Sequence, residues 1–199
     1  FKPLDKKACR EALGLPVDGK VVFFSCADDL SRSTWKAGQL LVDILESLDA
    51  MSTEPVHALV LGKGNIDILG KLKNVKVRHM GFIHGEPLLP VFYSAADTLI
   101  FPTRAENLSL VLMEANACGT PSVTFDIGGN GDQVENGVNG FLVPPFDTET
   151  FAAKTLELLD NTERRKNFSR ACREKTEQSF SLKTMAAEYY RLFEQVTRS

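Results

Sequence analysis

"DTLIFPTRAENLSLVLMEANACGTPSVTF", Asp97 to Phe125, contains two apolar β-type runs separated by one helical stretch. "DTLIFPT" is stopped by Pro102, and "PSVTF" resumes directly after the break Cys118-Gly119-Thr120-Pro121. Between them the apolar positions predict a buried helix over Leu108 to Ala117, ended by a glycine and then a proline that cannot continue it. Strand, helix and strand in this order make a βαβ unit, which joins parallel strands.

The pattern repeats on both sides. Upstream, "KVVFFSC" (Lys20 to Cys26) is a continuous apolar run, as expected of a strand covered on both faces. "AGQLLVDILESLDAM" then places Leu40, Leu41, Ile44, Leu45 and Leu48 at helical spacing. "VHALVLG" (Val56 to Gly62) and "NVKVRHMG" are further strands, with a short helix expected around Ile66 to Lys73. "PLLPVFYSAA" leads as a helix into Asp97. Downstream, "GGNGDQVENGVNGFLVPP" predicts a glycine-rich turn, a short helical piece and a last strand at Gly140 to Val143. From Asp147 the pattern is helical, with breaks near Asn161 and at Ser179 to Ser181. Ser181 is an N-cap candidate for a final helix on which Met185, Tyr189 and Leu192 share a face. The fold class is therefore α/β, a Rossmann-like parallel sheet with helices on both faces, in one domain over residues 1–199. Such sheets bind ligands outside the carboxyl ends of their strands.

Composition excludes several classes. Charged residues make up 25% of the chain and the formal net charge is -3, so no basic surface invites nucleic acid. No apolar run approaches the roughly 18 residues of a membrane span. Cys9, Cys26, Cys118 and Cys172 lie far apart, without metal-site spacing and away from His57, His79 and His84. Reduced thiols and a cytoplasmic place are expected. The opening "FKPLDKKACREALGLP" has neither an initiator Met nor a signal-peptide pattern, and is expected to be the interior of a longer gene product.

The start of the Leu108–Ala117 helix would present the backbone amides of Leu108, Ser109 and Leu110, which attract phosphate. Glu106 lies just before it and Glu114 two turns in. Glu106 then faces a neutral sugar, or is simply a capping acid. Glu114 reaches ribose hydroxyls, or is a solvated or ion-paired helix residue. Lys36 stands where a cation opposes a helix dipole, a conflict that a bound diphosphate removes. Gly62 and Gly64 permit close approach of a ligand or a tight turn. The "GGNG" turn after Ile127 neighbours a phosphate or sugar, or is only a turn. "GKGNID" is not the dinucleotide fingerprint, which disfavours a dehydrogenase.

These residues resemble the E-x7-E motif of family 4 glycosyltransferases, retaining enzymes of the GT-B fold, in their C-terminal donor-binding domain. "VKVRHMGFI", "YSAADTLIFPT" and "ACGTPSVTFDIGGNGDQVENGVNGFLVPPFDTE" extend the resemblance over nearly all of Val56 to Glu149, with weaker similarity at "FKPLDKK" and "KVVFFSC". The resemblance implies that Glu106 contacts the donor sugar, Glu114 the ribose, and the Leu108 to Leu110 backbone the diphosphate. Phe82 and Ile83, in "MGFIHGE", would lie beside the base. Lys36 would match the family's phosphate-binding lysine, with Ala37-Gly38 in place of an immediate glycine, and Arg32 is the nearest counterpart of its arginine.

The implied function is transfer of a sugar from a UDP- or GDP-linked donor, without metal or other cofactor, to an acceptor glycan or lipid-linked glycan held by an N-terminal half. That half would contact the inner face of the membrane, and helix 181–199 would pack back toward it. Polysaccharide or glycoconjugate synthesis is the expected setting. Two other classes stay open: a nucleotide-sugar epimerase built on the same half, and a non-catalytic nucleotide-binding module.

Overall fold

The computed structural model describes residues 1–29, 38–63, 71–83 and 86–198, with the backbone alone at 27–29 and 86. Among the described residues, six strands form one parallel sheet: β1 (Lys20–Asp29), β2 (Val56–Lys63), β3 (Val75–His79), β4 (Thr98–Phe101), β5 (Ser122–Phe125) and β6 (Gly140–Val143). Their spatial order is β3-β2-β1-β4-β5-β6. The chain therefore winds outward from β1 in one direction and from β4 in the other. The switch point lies between these two strands, where Val22 pairs with Thr98 and Phe23 with Leu99.

Strand alternation builds two cores. Val22, Phe24, Ala58, Val60, Ile100 and Phe125 face one side, against Leu41, Ile44, Leu45 and Leu48 of α2 (Gly38–Met51) and Phe151 of α6 (Thr148–Asp160). Val21, Phe23, Leu59, Leu61, Leu99 and Phe101 face the other. That side is covered by α1 (Lys6–Ala12), α3 (Leu89–Ala95) and α4 (Leu110–Ala117). Successive residues of a strand point to opposite faces, so a sheet covered on both sides needs the unbroken apolar runs seen in β1, β2 and β4. A four-residue helix α5 (Asn130–Gln133), then α7 (Thr162–Ser179) and α8 (Leu182–Arg198), complete the element order.

Two elements depart from the sequence reading, and a third expectation goes untested. α1 was not anticipated: Asp5 caps it, accepting from the Ala8 amide at 2.7 Å, but its short length gave no readable period. The helix expected around Ile66 to Lys73 lies mostly outside the described residues. α4 begins at Leu110, two residues later than predicted. Its C-terminus ends as read. Gly119 adopts φ +70°, its amide reaches the Asn116 carbonyl at 3.0 Å, and Thr120 reaches that of Ala115 at 2.9 Å. This is a Schellman motif, which needs the left-handed conformation that glycine accepts most easily. Ser181 caps α8 as expected, accepting from the Thr184 amide at 3.1 Å, and α8 buries none of its residues.

At the amino edge of the sheet, one carboxylate joins four segments. Asp97 accepts from the Val21 amide at 2.9 Å, from Arg10 at 2.8 Å and from Lys6 at 2.9 Å, while Arg165 of α7 stands 3.6 Å away. Arg10 also donates to the carbonyls of Ala95, Val17 and Gly19. Burial pushes the Asp97 carboxyl up, but the Lys6 and Arg10 charges and the bonds from Lys6 and Val21 outweigh it and hold it below the usual aspartate value.

Removing one member of a buried pair strands the other, so Asp97→Ala should lower the unfolding free energy by about 3–5 kcal/mol in urea denaturation. A folded-state value below the unfolded one of about 3.9 means that this contribution is complete above that pH and is lost as pH falls through the folded value. Asp97→Asn should accordingly flatten the acid limb of the stability profile. An unchanged acid slope would remove Asp97 as its source.

Candidate functional site

At the carboxyl edge, the switch point opens into a cavity of about 350 Å³. Strand β1 contributes Phe24, Ser25 and Cys26 to its wall, and β4 with the loop after it contributes Phe101, Thr103 and Glu106. Leu108, Ser109, Leu110 and Val111, at the start of α4, close it. The volume is that of a small-molecule site, and the wall is largely apolar with a few polar groups converging on it.

The polar groups follow from how α4 starts. Ser109 is its N-cap, with extended φ -80° and ψ 119°, and its hydroxyl accepts from the Leu112 amide at 3.3 Å. Leu110 and Val111 are the first two helical residues, whose amides have no partner within an α-helix. The first turn carries no acidic residue. Unpaired donors and the positive end of the helix dipole together favour an anion here.

This revises the predicted trio of amides. The Ser109 amide is engaged by the Gln133 side chain at 2.9 Å, and Leu108 precedes the helix, so the first-turn donors belong to Leu110 and Val111. The two glutamates do not share one helix either. Residues 106–109 are non-helical, which removes the argument from helical spacing.

Glu106 is half-buried on the cavity wall, and its carboxylate accepts from the Asn107 amide at 3.2 Å. Its backbone is held from the other side: the Glu106 carbonyl accepts from the Gly129 amide at 3.0 Å. The approach is so close that a Cβ at Gly128 would lie 1.9 Å from the Glu106 oxygen, and one at Gly129 would lie 1.6 Å from the Asn107 oxygen. The "GGNG" turn thus packs against the motif loop. Arg104, in the same loop, lies over the ring of Phe146 at 5.3 Å.

Glu114 is placed differently. It is half-buried on α4 and does not contribute to the cavity wall. Its carboxylate accepts from the Tyr93 hydroxyl at 2.8 Å. Tyr93 is fully buried, edge-on to Phe23 at 5.0 Å. Burial, and then the Glu114 charge, push its hydroxyl well above the usual tyrosine value, so it remains a donor.

Gly62 lies at the carboxyl end of β2, Phe82 and Ile83 follow β3, and none of the three lines the cavity. The Gly62 amide donates to the Gly81 carbonyl at 3.0 Å, which makes Gly62 a strand-end residue. Phe82 is 40% exposed, with the Lys63 ammonium 4.8 Å over its ring, while Ile83 packs against the α3 side of the core. Lys36, Arg32 and Gly64 lie outside the described residues. All four cysteines are free and buried. Burial pushes the Cys118 thiol up to about 11 and raises that of Cys172 as well, so neither is a thiolate at neutral pH.

Sequence reasoning missed the polar bracket behind the site. Asn116, Asn130, Gln133 and Asn139 are each no more than 1% exposed. Asn130 donates to the Thr124 hydroxyl at 2.9 Å and the Phe125 carbonyl at 3.0 Å. Asn116 and Asn139 both donate to the Gln133 carbonyl, at 3.1 and 3.0 Å. The available signal was the amide-rich run "NGDQVENGVN", which also reads as solvated loop.

Comparison with known proteins places this geometry. The sequence model of the family described as Glycosyl transferases group 1 matches residues 20–161. The chain is 30% identical over 186 residues to D-inositol 3-phosphate glycosyltransferase 2 of Catenulispora acidiphila, covering 84% of this chain and 42% of that protein. It thus spans about two-fifths of the length of that curated relative. Sucrose-phosphate synthase of Thermosynechococcus elongatus superposes with TM-score 0.81 at 24% identity, over 100% of this chain and 50% of that one. Anabaena HepE in complex with UDP and glucose gives TM-score 0.77 at 24% identity, over 98% and 53%. Both share the GT-B glycosyltransferase fold.

The glycine contact yields a direct test. Gly129→Ala would require the turn and the motif loop to separate, and should destabilise the chain by about 1–3 kcal/mol, the range of overpacking. Urea denaturation of Gly129→Ala beside Gly131→Ala, where the nearest atoms would be 3.9 Å from the new Cβ, separates contact from general loss of glycine. Equal effects would refute the contact.

Proposed function

We propose that this chain, which belongs to the group 1 glycosyl transferases, binds the nucleoside diphosphate sugar donor of a retaining, metal-independent sugar transfer. The observation that carries the proposal is the cavity at the β1–β4 switch point, with the first turn of α4 in its wall and Glu106 beside it. The amides of Leu110 and Val111 receive the diphosphate. They stabilise the charge that grows on it as the sugar leaves, without reorganising during the step. Lys36 adds a point charge to the same group.

Glu106 faces the donor sugar, whose hydroxyls are neutral and can donate to a carboxylate. Glu114 takes the ribose hydroxyls. A carboxylate has about four acceptor sites, so the bond from Tyr93 does not exhaust it. Phe82 and Ile83, which follow β3 at the carboxyl edge of the sheet, border the base. Binding of UDP and glucose by Anabaena HepE makes UDP the first donor nucleotide to test, with GDP beside it.

The acceptor, a glycan or lipid-linked glycan, belongs to a second half of the cleft, with polysaccharide or glycoconjugate synthesis as the setting. The exposed apolar residues Met185, Tyr189 and Leu192 of α8 pack toward that half. A transfer cleft works by holding both reactants in line, so the donor half alone binds without transferring.

Calorimetric titration with UDP, GDP and their nucleosides tests the reading. Diphosphate binding without detectable transfer is expected of the 199-residue chain. No diphosphate binding, or robust transfer by this chain alone, would overturn it. Glu114→Gln should weaken diphosphate binding by about 1–3 kcal/mol, the scale of hydrogen bonds to a charged group. Lys36→Ala should weaken diphosphate far more than nucleoside binding, with an effect that shrinks as salt rises. Equal losses for both ligands would assign Lys36 to the fold alone.

A further inference from the structure

We propose that Gln133 is a positioning residue for the diphosphate-binding turn, acting through the peptide groups of Ser109. The proposal rests on the donor-site reading above and adds a residue to which neither the motif nor the comparisons assign a role.

Both ends of the Gln133 carboxamide serve one residue. Its Oε1 accepts from the Ser109 amide at 2.9 Å, and its Nε2 donates to the Ser109 carbonyl at 2.8 Å. This is the double exchange that paired residues make in an antiparallel ladder, here made by a side chain. The Ser109 carbonyl and the Leu110 N–H belong to the same planar, trans peptide and point in opposite directions. Fixing that carbonyl therefore fixes the direction of the first amide at the cavity. The Ser109 carbonyl also accepts the first helical bond, from Met113 at 3.1 Å, so the plane is held from two sides.

The bracket is itself rigid. Gln133 is fully buried, and its backbone carbonyl accepts from Asn116, within α4, and from Asn139. Asn139 in turn accepts from the Glu135 amide at 2.6 Å. α5 is thereby joined to α4 at its N-cap and again further along the helix, while Asn130 joins it to β5. Packing alone does not explain this arrangement. An apolar side chain would fill the position without desolvating a carboxamide, and water at the rim could satisfy one backbone amide. The geometry instead spends two directed bonds on the orientation of one peptide.

The test compares Gln133→Met, which keeps the size and removes both bonds, with Gln133→Glu, which keeps the bond from the Ser109 amide and sets an oxygen against the Ser109 carbonyl. Folding is checked by circular dichroism and thermal melting, and affinity by titration with UDP, GDP and their nucleosides. Both variants should lose at least about fivefold in diphosphate affinity, the equivalent of one net hydrogen bond. Nucleoside affinity should stay within about twofold, as for a ligand group not in contact with the altered bond. Losses that are equal for both ligands, or absent, would overturn the proposal.

Hydrogen exchange supplies a readout that needs neither ligand nor variant. In the wild-type chain the Ser109 amide should exchange far more slowly than that of Asn107, and exchange at the same rate would refute the bracket. If wild type bound neither UDP nor GDP, the donor reading would fall. Exchange at Ser109 in Gln133→Met would still judge the bracket: faster exchange supports it and unchanged exchange sinks it.

Discussion

The backbone of Glu106 and Asn107 runs so close to the turn after β5 that only hydrogen fits between them at Gly128 and Gly129. Much of the site follows from this contact. A loop between a strand and a helix normally has freedom to move, yet this one is held to a second loop by the bond from Gly129 to the Glu106 carbonyl. The carboxylate on the cavity wall is therefore carried by a backbone with few alternatives. Close contact between two main chains gives a precision that contact between two side chains rarely reaches, because no rotamer intervenes.

The two edges of the sheet divide the work between stability and ligand. At the amino edge, Asp97 gathers Lys6, Arg10 and the Val21 amide, and this network ties α1 to β1 and β4. Its charges are paired, with Asp97 and Arg10 buried, and they lie at the opposite ends of the strands from the cavity. At the carboxyl edge the corresponding ends of β1 and β4 are left apart, and the helix that follows β4 points its first turn into the gap. The switch in strand order creates that gap: chains leaving β1 and β4 depart to opposite sides of the sheet. Topology alone thus places the cavity, and the sequence of the α4 start decides what it attracts.

The strands were legible because their residues alternate between two buried faces, leaving unbroken runs such as Val21 to Phe24. The stop of α4 was legible too, since Gly119 and Pro121 act locally. Its start was not. Residues 107 to 109 offer both asparagine and serine as caps, and Ser109 is selected by Gln133, twenty-four residues away in the chain. A long-range side-chain bond of this kind leaves no trace in periodicity. The same holds for Asn116 and Asn139, polar residues that are buried because they answer one another. Glu106 precedes the helix, as read, and lies on the cavity wall, whereas the relation of Glu114 to it rested on a helix that begins too late to carry both.

Glu114 shows how a side chain on the helix that opens the cavity can carry a structural duty of its own. Tyr93 lies fully buried under α4, and its hydroxyl needs an acceptor that the surrounding apolar residues cannot supply. Glu114 supplies it, so truncating Glu114 would orphan that hydroxyl and disturb the packing of Tyr93 on Phe23. A loss of binding after truncation would then mix a local structural effect with loss of a ligand contact. Glutamine keeps one acceptor oxygen for Tyr93 while it removes the charge and turns the other oxygen into an N–H donor, so the bond from Tyr93 can survive the change. The physical argument for a ribose contact rests on position: Glu114 is a half-buried carboxylate one turn along the helix whose first turn lines the cavity.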